Sequence, residues 1–189
     1  MHSNSPSNLP LIGIAAPAQS GKSTVARYLR DQYGYAEVSF AAPIRQFVAD
    51  LCGLTLADVE SGPLKEQVIP WIGKSPRQMM QTLGTEWGRD LVSQSLWVDR
   101  AMQTVSGLRF GGTGAVISDV RFENEAEVIR AHGGFILHLS RPDALVVNTH
   151  ISEAGVSFDP TTDWRIVNDS SLEVLRASVR DMLWVKAGV

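Results

Sequence analysis

The chain contains a single cysteine, Cys52, among its 189 residues. A disulfide framework within the chain and a Cys-based zinc cluster are therefore excluded. The four histidines are scattered and never fall in H-x-x-x-H spacing. No apolar run approaches the roughly 20 residues needed to span a bilayer, so no membrane partner is expected. An excess of basic charge is missing too: Lys plus Arg is 17 and Asp plus Glu is 20, giving a formal charge of -3. A general nucleic-acid coat protein would be basic, so no nucleic-acid partner is expected, although a local basic cleft for a small anion stays open. Repeats and low-complexity tracts are absent. The N-terminus, MHSNSPSNLP, is polar and lacks the apolar centre of a signal peptide. Residues 1–9 are accordingly expected to form a disordered lead-in, and the chain to be a soluble protein of a reducing cytoplasm.

What is present is an ordinary globular composition, 44% apolar and 20% charged, long enough for one domain over residues 10–189. Short apolar runs alternate with helical spacing. Leu9–Ala15, Ala36–Phe40, Ala115–Ser118, Phe135–Leu139 and Trp164–Val167 read as strands. Gly21–Gln32, Pro43–Leu51, Ser75 to about Glu86, Leu91–Ser106, Phe122–His132 and Ser170 to about Lys186 read as helices. Ser75-Pro76-Arg77-Gln78 is a capping box with proline at the first helical position, and Ser170 to Glu173 offers a second box. Gly88 is a candidate terminator. Ser61–Lys74 reads as a loop, and Arg141–Thr162 as a mobile excursion. Strands alternating with helices predict an α/β fold with a parallel sheet covered on both faces. Ligands of such sheets bind beyond the carboxyl ends of the strands.

After the first strand comes Ala16-Pro17-Ala18-Gln19-Ser20-Gly21-Lys22-Ser23-Thr24. This is nearly a phosphate-binding loop, G-x-x-x-x-G-K-[ST]. Such a loop turns backbone N–H groups inward around phosphate oxygens and aims a helix N-terminus at them. Residues 18–24 are thus the candidate ATP site, with Lys22 reaching the β- and γ-phosphates and the Ser23 hydroxyl on Mg²⁺. The departure is Ala16 in place of the first glycine. A left-handed conformation there would cost roughly 1–2 kcal/mol.

The stretches GIAAPAQSGKSTVARYL, SFAAPIRQFVADLCGL, SPRQMMQTLGTEWGRD with LWVDRA, and VISDVRFENEAEVIRAHGGFILHLSRP, followed by HISE, carry a resemblance. The chain resembles the phage-type deoxynucleoside monophosphate kinases, adenylate-kinase-like P-loop kinases. The resemblance implies a five-stranded parallel sheet, a helical substrate-binding insert at about residues 41–106 and a lid at about residues 141–162. It also implies transfer of the ATP γ-phosphoryl to a deoxynucleoside monophosphate with Mg²⁺, in the host cytoplasm if phage-encoded; a homodimer is compatible with it. Ala42 stands where relatives often carry an acidic residue. A kinase of another small phosphate ester, similar to phosphomevalonate kinase, and a nucleotide-binding module without turnover are the competing expectations.

Phosphoryl transfer needs two anions held in line and their repulsion relieved. Asp119 and Arg121, after the third strand, are candidates for holding Mg²⁺ through water and for binding a phosphate. Their alternative roles are helix capping by Asp119 and pairing of Arg121 with Glu125. Arg77 and Gln81 share one side of a helix, and with the resemblance they become candidates for an acceptor phosphate and a base edge; a solvated face is the alternative. Trp87 suits base stacking or a core position, and Arg89 a phosphate. Arg45 and Lys65 are further substrate-side candidates. Arg141, directly after a strand, is a candidate lid arginine, and the resemblance adds His150 and Glu153 as lid or substrate-shell residues. Cys52 reads as a small buried residue.

Overall fold

The computed structural model describes residues 9–142 and 155–189. These fall into two compact units, one built from residues up to Ser39 together with Met102–Val189, the other from Phe40–Ala101.

The first unit is a five-stranded sheet, β1 (Ile12–Ala15), β2 (Ala36–Val38), β3 (Ala115–Val120), β4 (Phe135–Ser140) and β5 (Trp164–Val167), in the order β2-β3-β1-β4-β5. Every neighbouring pair is parallel. Parallel strands buried on both faces read as continuous apolar runs, which is why Leu11–Ala15 and Ala115–Ile117 carry no polar side chain. One face packs Ile12, Ile14, Leu137 and Leu139 against Val25, Ala26 and Leu29 of α1 (Lys22–Tyr33) and Leu175, Val179 and Leu183 of α7 (Leu172–Ala187). The opposite face receives α6 (Glu123–Ala131), whose Ile129 closes over Gly13 and Ile136. Fully burying each such aliphatic side chain is worth about 1.5–3 kcal/mol.

The second unit is helical: α2 (Ala42–Cys52), α3 (Leu56–Glu60), a single 3₁₀ turn (Pro63–Lys65) and α4 (Pro76–Gln81), followed by the start of α5 (Leu96–Phe110). Val48, Ala49 and Val59 form its small core, with Met79 and Met80 packed against them. The Ser75 capping box is reciprocal: the Ser75 hydroxyl accepts from the Gln78 N–H at 3.3 Å, and Gln78 Oε1 accepts from the Ser75 N–H at 2.9 Å.

Several boundaries differ from the sequence reading. Leu9 packs against the core and is not part of a lead-in. The helix opened by Ser75 does not stop near Glu86 or at Gly88; beyond Gln81 it widens into a π-helical winding over Thr82–Val92. Gly88 is there because Trp97 lies across it: a Cβ would sit 2.5 Å from Trp97 Nε1. That indole donates to the Gly84 carbonyl at 2.8 Å. The next helix begins at Leu96, after a break at Ser93–Ser95, and runs to Phe110. The last helix is capped by Ser171, whose hydroxyl accepts from Val174 N–H, so the expected box on Ser170 does not form. Ser61–Lys74 holds the 3₁₀ turn and an isolated antiparallel bridge, Ile69 with Lys74. Among the described residues no helix is long and apolar enough to cross a membrane.

Candidate active site

Strand order changes direction at β1, which lies between β3 and β4. That is the switch point where a parallel sheet opens a crevice at its carboxyl edge. The loop leaving β1 there runs straight into α1, and Gly21 caps it with φ 103° and no side-chain cap. The Gly21 carbonyl accepts from the Thr24 and Val25 N–H groups at 3.0 Å, so α1 starts at once and its N-terminus, the helix end that favours negative charge, lies at the exit of β1.

The loop's strain sits elsewhere than the sequence suggested. Ala16 does not have a positive φ; the left-handed residue is Gln19, at φ 61°. Ala16 in place of glycine thus costs nothing by this route, and Gln19 carries the roughly 1–2 kcal/mol penalty. Ser20 is fully buried, and its hydroxyl donates to the Pro17 carbonyl at 3.0 Å. Lys22 curls back over the loop, its Nζ donating to the Ala16 and Pro17 carbonyls at 2.7 and 2.9 Å. Ala18, Gln19 and Ser23 are exposed, and Thr24 is half-buried.

Beside it, β3 carries one extra residue relative to β1: Gly13 pairs with Ile117, but Ala15 pairs with Val120. Such a bulge re-aims side chains at the strand end. Asp119 lies in this irregular stretch, and its Oδ2 accepts from Ser39 Oγ at 2.6 Å. It does not cap α6. Glu125, 2% exposed, takes that role by accepting from the Arg121 and Phe122 N–H groups at 2.8 and 3.1 Å. Glu125 thus meets Arg121 through its backbone. Arg121 is exposed and, with Lys22, lines a cleft of about 250 Å³ whose other walls include Ala15–Ala18, His138, Ser140, Val156 and Arg165. Arg141 follows β4 directly and is exposed.

The far wall of this cleft is pinned by a buried charge cluster. Asp163 accepts from Arg130 Nη2 at 2.6 Å and Nε at 3.2 Å, from the Ile136 N–H at 3.0 Å and the Asp159 N–H at 3.0 Å, and lies 3.1 Å from His138 Nε2. Burial alone would push the Asp163 carboxyl up; Arg130, these N–H groups and His138 outweigh it and hold the carboxyl well below the usual carboxylate range. The Asp163 contact raises Arg130 above its ordinary value. Arg130 also donates to Glu123 at 3.0 Å and to the Ser157 carbonyl at 2.7 Å, and the Ser157 N–H donates to Glu123 at 2.8 Å. Phe158 lies edge-on to His138 and beneath the Arg165 guanidinium, 4.3 Å from the ring centre. Within the expected excursion, Ser157, Phe158 and Asp159 thus contact α6, the sheet and Asp163. Residues 143–154, with His150 and Glu153, lie outside the described residues.

The remaining candidates belong to the helical unit. Arg45 Nη1 donates to Glu60 Oε1 at 3.3 Å and Lys65 Nζ to the Glu60 carbonyl at 2.9 Å, so these two meet at one residue. Arg77 pairs with Glu66 at 2.6 Å, and Gln81 is exposed one turn along. Trp87 is 46% exposed, its ring 6.2 Å from that of Trp97, so it is not a core residue. Arg89 is half-buried. Ala42 opens α2 on its exposed side. Cys52 is half-buried, and burial pushes its thiol up.

Ser39, Asn168, Arg165 and the Asp163 cluster were not singled out by sequence. Asn168 had a signal, since it directly follows a strand; the side chain of Asn168 donates to the Ser20 carbonyl at 3.0 Å. Arg165 and Asp163 had none, because their roles depend on partners far away in the chain.

Comparison with known proteins agrees with this geometry. The fold resembles dephospho-CoA kinase from Campylobacter jejuni at a TM-score of 0.52 and 13% identity, over 94% of this chain and 97% of that one. In sequence the chain is 32% identical over 180 residues to a candidate deoxynucleotide monophosphate kinase of Acanthamoeba polyphaga mimivirus, covering 86% of this chain and 90% of that protein. It is 24% identical to the deoxynucleotide monophosphate kinase of Enterobacteria phage T4, over 94% of this chain and all of that one. The deoxynucleotide monophosphate kinase family model matches residues 66–179. The loop that runs from β1 into α1 at the sheet's switch point and this match over more than half the sequence lead to one assignment: the chain belongs to the deoxynucleotide monophosphate kinase family.

Proposed function

We propose that the protein transfers the γ-phosphoryl group of ATP to a deoxynucleoside 5'-monophosphate, giving ADP and the deoxynucleoside diphosphate. The observation that carries this reading is the cleft at the sheet's carboxyl edge, lined by both Lys22, the first residue of α1, and Arg121. Two polyanions require several fixed cations and inward N–H groups, and little else. The family names its members for this substrate class.

In this reading residues 18–24 wrap the donor phosphates. Lys22 leaves the Ala16 and Pro17 carbonyls to meet the β- and γ-phosphates. An oxygen of the acceptor phosphate attacks the γ-phosphorus. The bond to the β–γ bridging oxygen breaks, and its electron pair leaves with ADP. Arg121 holds the acceptor or transferring phosphate, and Arg141 follows charge as it spreads over the equatorial oxygens. Phosphate oxygens are already nucleophilic, so no general base is required. Arg77, Gln81, Trp87 and Arg89, with Arg45 and Lys65, are assigned to the acceptor nucleotide.

The donor set suits Mg²⁺. It offers hard oxygens, the Ser23 hydroxyl and the Asp119 carboxylate, the latter oriented by Ser39 at 2.6 Å. Mg²⁺ is commonly held by one or two protein oxygens together with waters and substrate phosphate oxygens. Bound there, Mg²⁺ would neutralise charge on the β- and γ-phosphates.

An ADP-release assay across all common ribo- and deoxyribonucleoside monophosphates, with phosphomevalonate as a non-nucleotide phosphate ester, tests the proposal. Release dependent on one or more deoxynucleotides supports it. Release dependent only on a non-nucleotide phosphate ester, or none with any acceptor, would refute it.

A further inference from the structure

We infer that Asn168 is a positioning residue that sets the phosphate-binding loop in its anion-receiving conformation. The inference rests on the reading of residues 18–24 as the ATP site. Asn168 is the first residue beyond β5, and its backbone N–H donates to the Ser140 carbonyl at 2.7 Å, which fixes it to the end of β4. Its side-chain Nδ2 reaches across to the loop after β1 and donates to the Ser20 carbonyl at 3.0 Å. The acceptor is a carbonyl, so the amide must present its NH₂ and its orientation is determined.

The consequence follows from peptide geometry. The Ser20 carbonyl and the Gly21 N–H belong to one planar trans peptide, and in such a plane they point in opposite directions. Holding the carbonyl toward Asn168 therefore turns the Gly21 N–H away from Asn168. The loop gains a donor whose direction is set by a side chain of another strand. The same contact explains Gly21 by sterics as well as by φ: a Cβ there would lie 2.8 Å from Asn168 Nδ2. The amide occupies the space any larger residue would need. Gln19 is held in a left-handed conformation two residues earlier, and a loop carrying that strain needs outside contacts to keep it. Because Asn168 also bonds to Ser140, the residue before Arg141, it ties the donor loop to the strand end that carries the candidate lid arginine.

The test measures Mg·ATP affinity by calorimetry, acceptor KM, and thermal unfolding for wild type, Asn168→Ala and Asn168→Asp. Asn168→Asp keeps the shape but sets a carboxylate oxygen against the carbonyl. The expected result is ATP affinity weakened roughly tenfold in Asn168→Ala, the size of one net hydrogen bond plus the acceptor left without it. Asn168→Asp should lose at least as much, with acceptor KM close to wild type and the unfolding temperature lowered by only about 2–4 °C in both. ATP affinity within about twofold of wild type in both folded variants would overturn the inference. Failure of both to fold would overturn it too, since the role would then be structural. A wild type that binds ATP but phosphorylates no nucleotide would defeat the proposed function while leaving the Asn168 effect on ATP affinity intact.

Discussion

Replacing Asp163 should destabilise the protein more than replacing Lys22 or Ser23 after β1. Its side chain is fully buried, against 16% exposure for Arg130. Asp163→Ala leaves the Arg130 guanidinium facing an emptied site and strips acceptors from the Ile136 and Asp159 N–H groups. Removing one partner of a buried ion pair costs about 3–5 kcal/mol, because the other charge stays buried. Arg130 keeps Glu123 and the Ser157 carbonyl, which places the loss near the middle, about 4 kcal/mol. At this chain length each kcal/mol lowers the unfolding temperature by roughly 2–4 °C, so a drop of roughly 8–16 °C is expected. Asp163→Asn retains an acceptor oxygen and should lose about half as much. The pH dependence has a fixed sign. The folded carboxyl lies below its unfolded value, so the folded state binds fewer protons and the contribution is complete above about pH 4, where the unfolded carboxyl ionises. It is lost as pH falls through the depressed folded value, so wild type and Asp163→Asn should begin to converge in stability below about pH 4, and wild type should be the more stable above about pH 5. Circular-dichroism melting and urea titration across that range measure this. A shift under about 2 °C at neutral pH for Asp163→Ala would refute the reasoning that this cluster pins the wall of the cleft.

Other substitutions separate the remaining roles. Gly88→Ala forces a methyl group against the Trp97 ring; it should cost about 1–3 kcal/mol and change tryptophan fluorescence, and an unaltered emission spectrum and melt would contradict the packing described. Arg77→Ala should raise the KM of every monophosphate, whereas Gln81→Ala should change the ranking among bases; unchanged acceptor kinetics with weaker ATP binding in both would move α4 to the donor side. Arg141→Ala should lower kcat more than it weakens ATP binding, and a pure ATP-affinity defect would remove it from the transferring phosphate.

The alternation of strands and helices was legible because both faces of a parallel sheet are buried, and the resulting apolar runs are short and bounded. Trp164–Val167 matched its strand to the residue, and the Ser75 box formed as its spacing implied. The Gly-Lys-Ser-Thr loop was legible because its chemistry is local. Non-local causes were invisible. Gly88 looks like a helix terminator until Trp97 is known to cross it. The extra residue in β3 that re-aims Asp119 depends on pairing with β1. Asp163 gathers partners from α6, β4 and its own loop, up to 33 residues away, and no spacing rule predicts such a set. The π-helical widening after Gln81 likewise has no periodic signature distinct from an α-helix in so short a stretch.

The central claim is transfer of the terminal phosphoryl group at the Lys22 loop, and following that group tests it most directly. ATP labelled at the γ-phosphorus would be incubated with each deoxynucleoside monophosphate and wild type or Lys22→Ala, with folding of the variant checked by melting. Lys22 is the half-buried first residue of α1, and its ammonium donates to the Ala16 and Pro17 carbonyls of the loop before it, so its removal should leave the fold intact. The expected result is label in the β-phosphate of a deoxynucleoside diphosphate with wild type, and loss of most of that transfer in the folded Lys22→Ala variant. Label appearing only as inorganic phosphate, or transferred equally well by Lys22→Ala, would contradict the account.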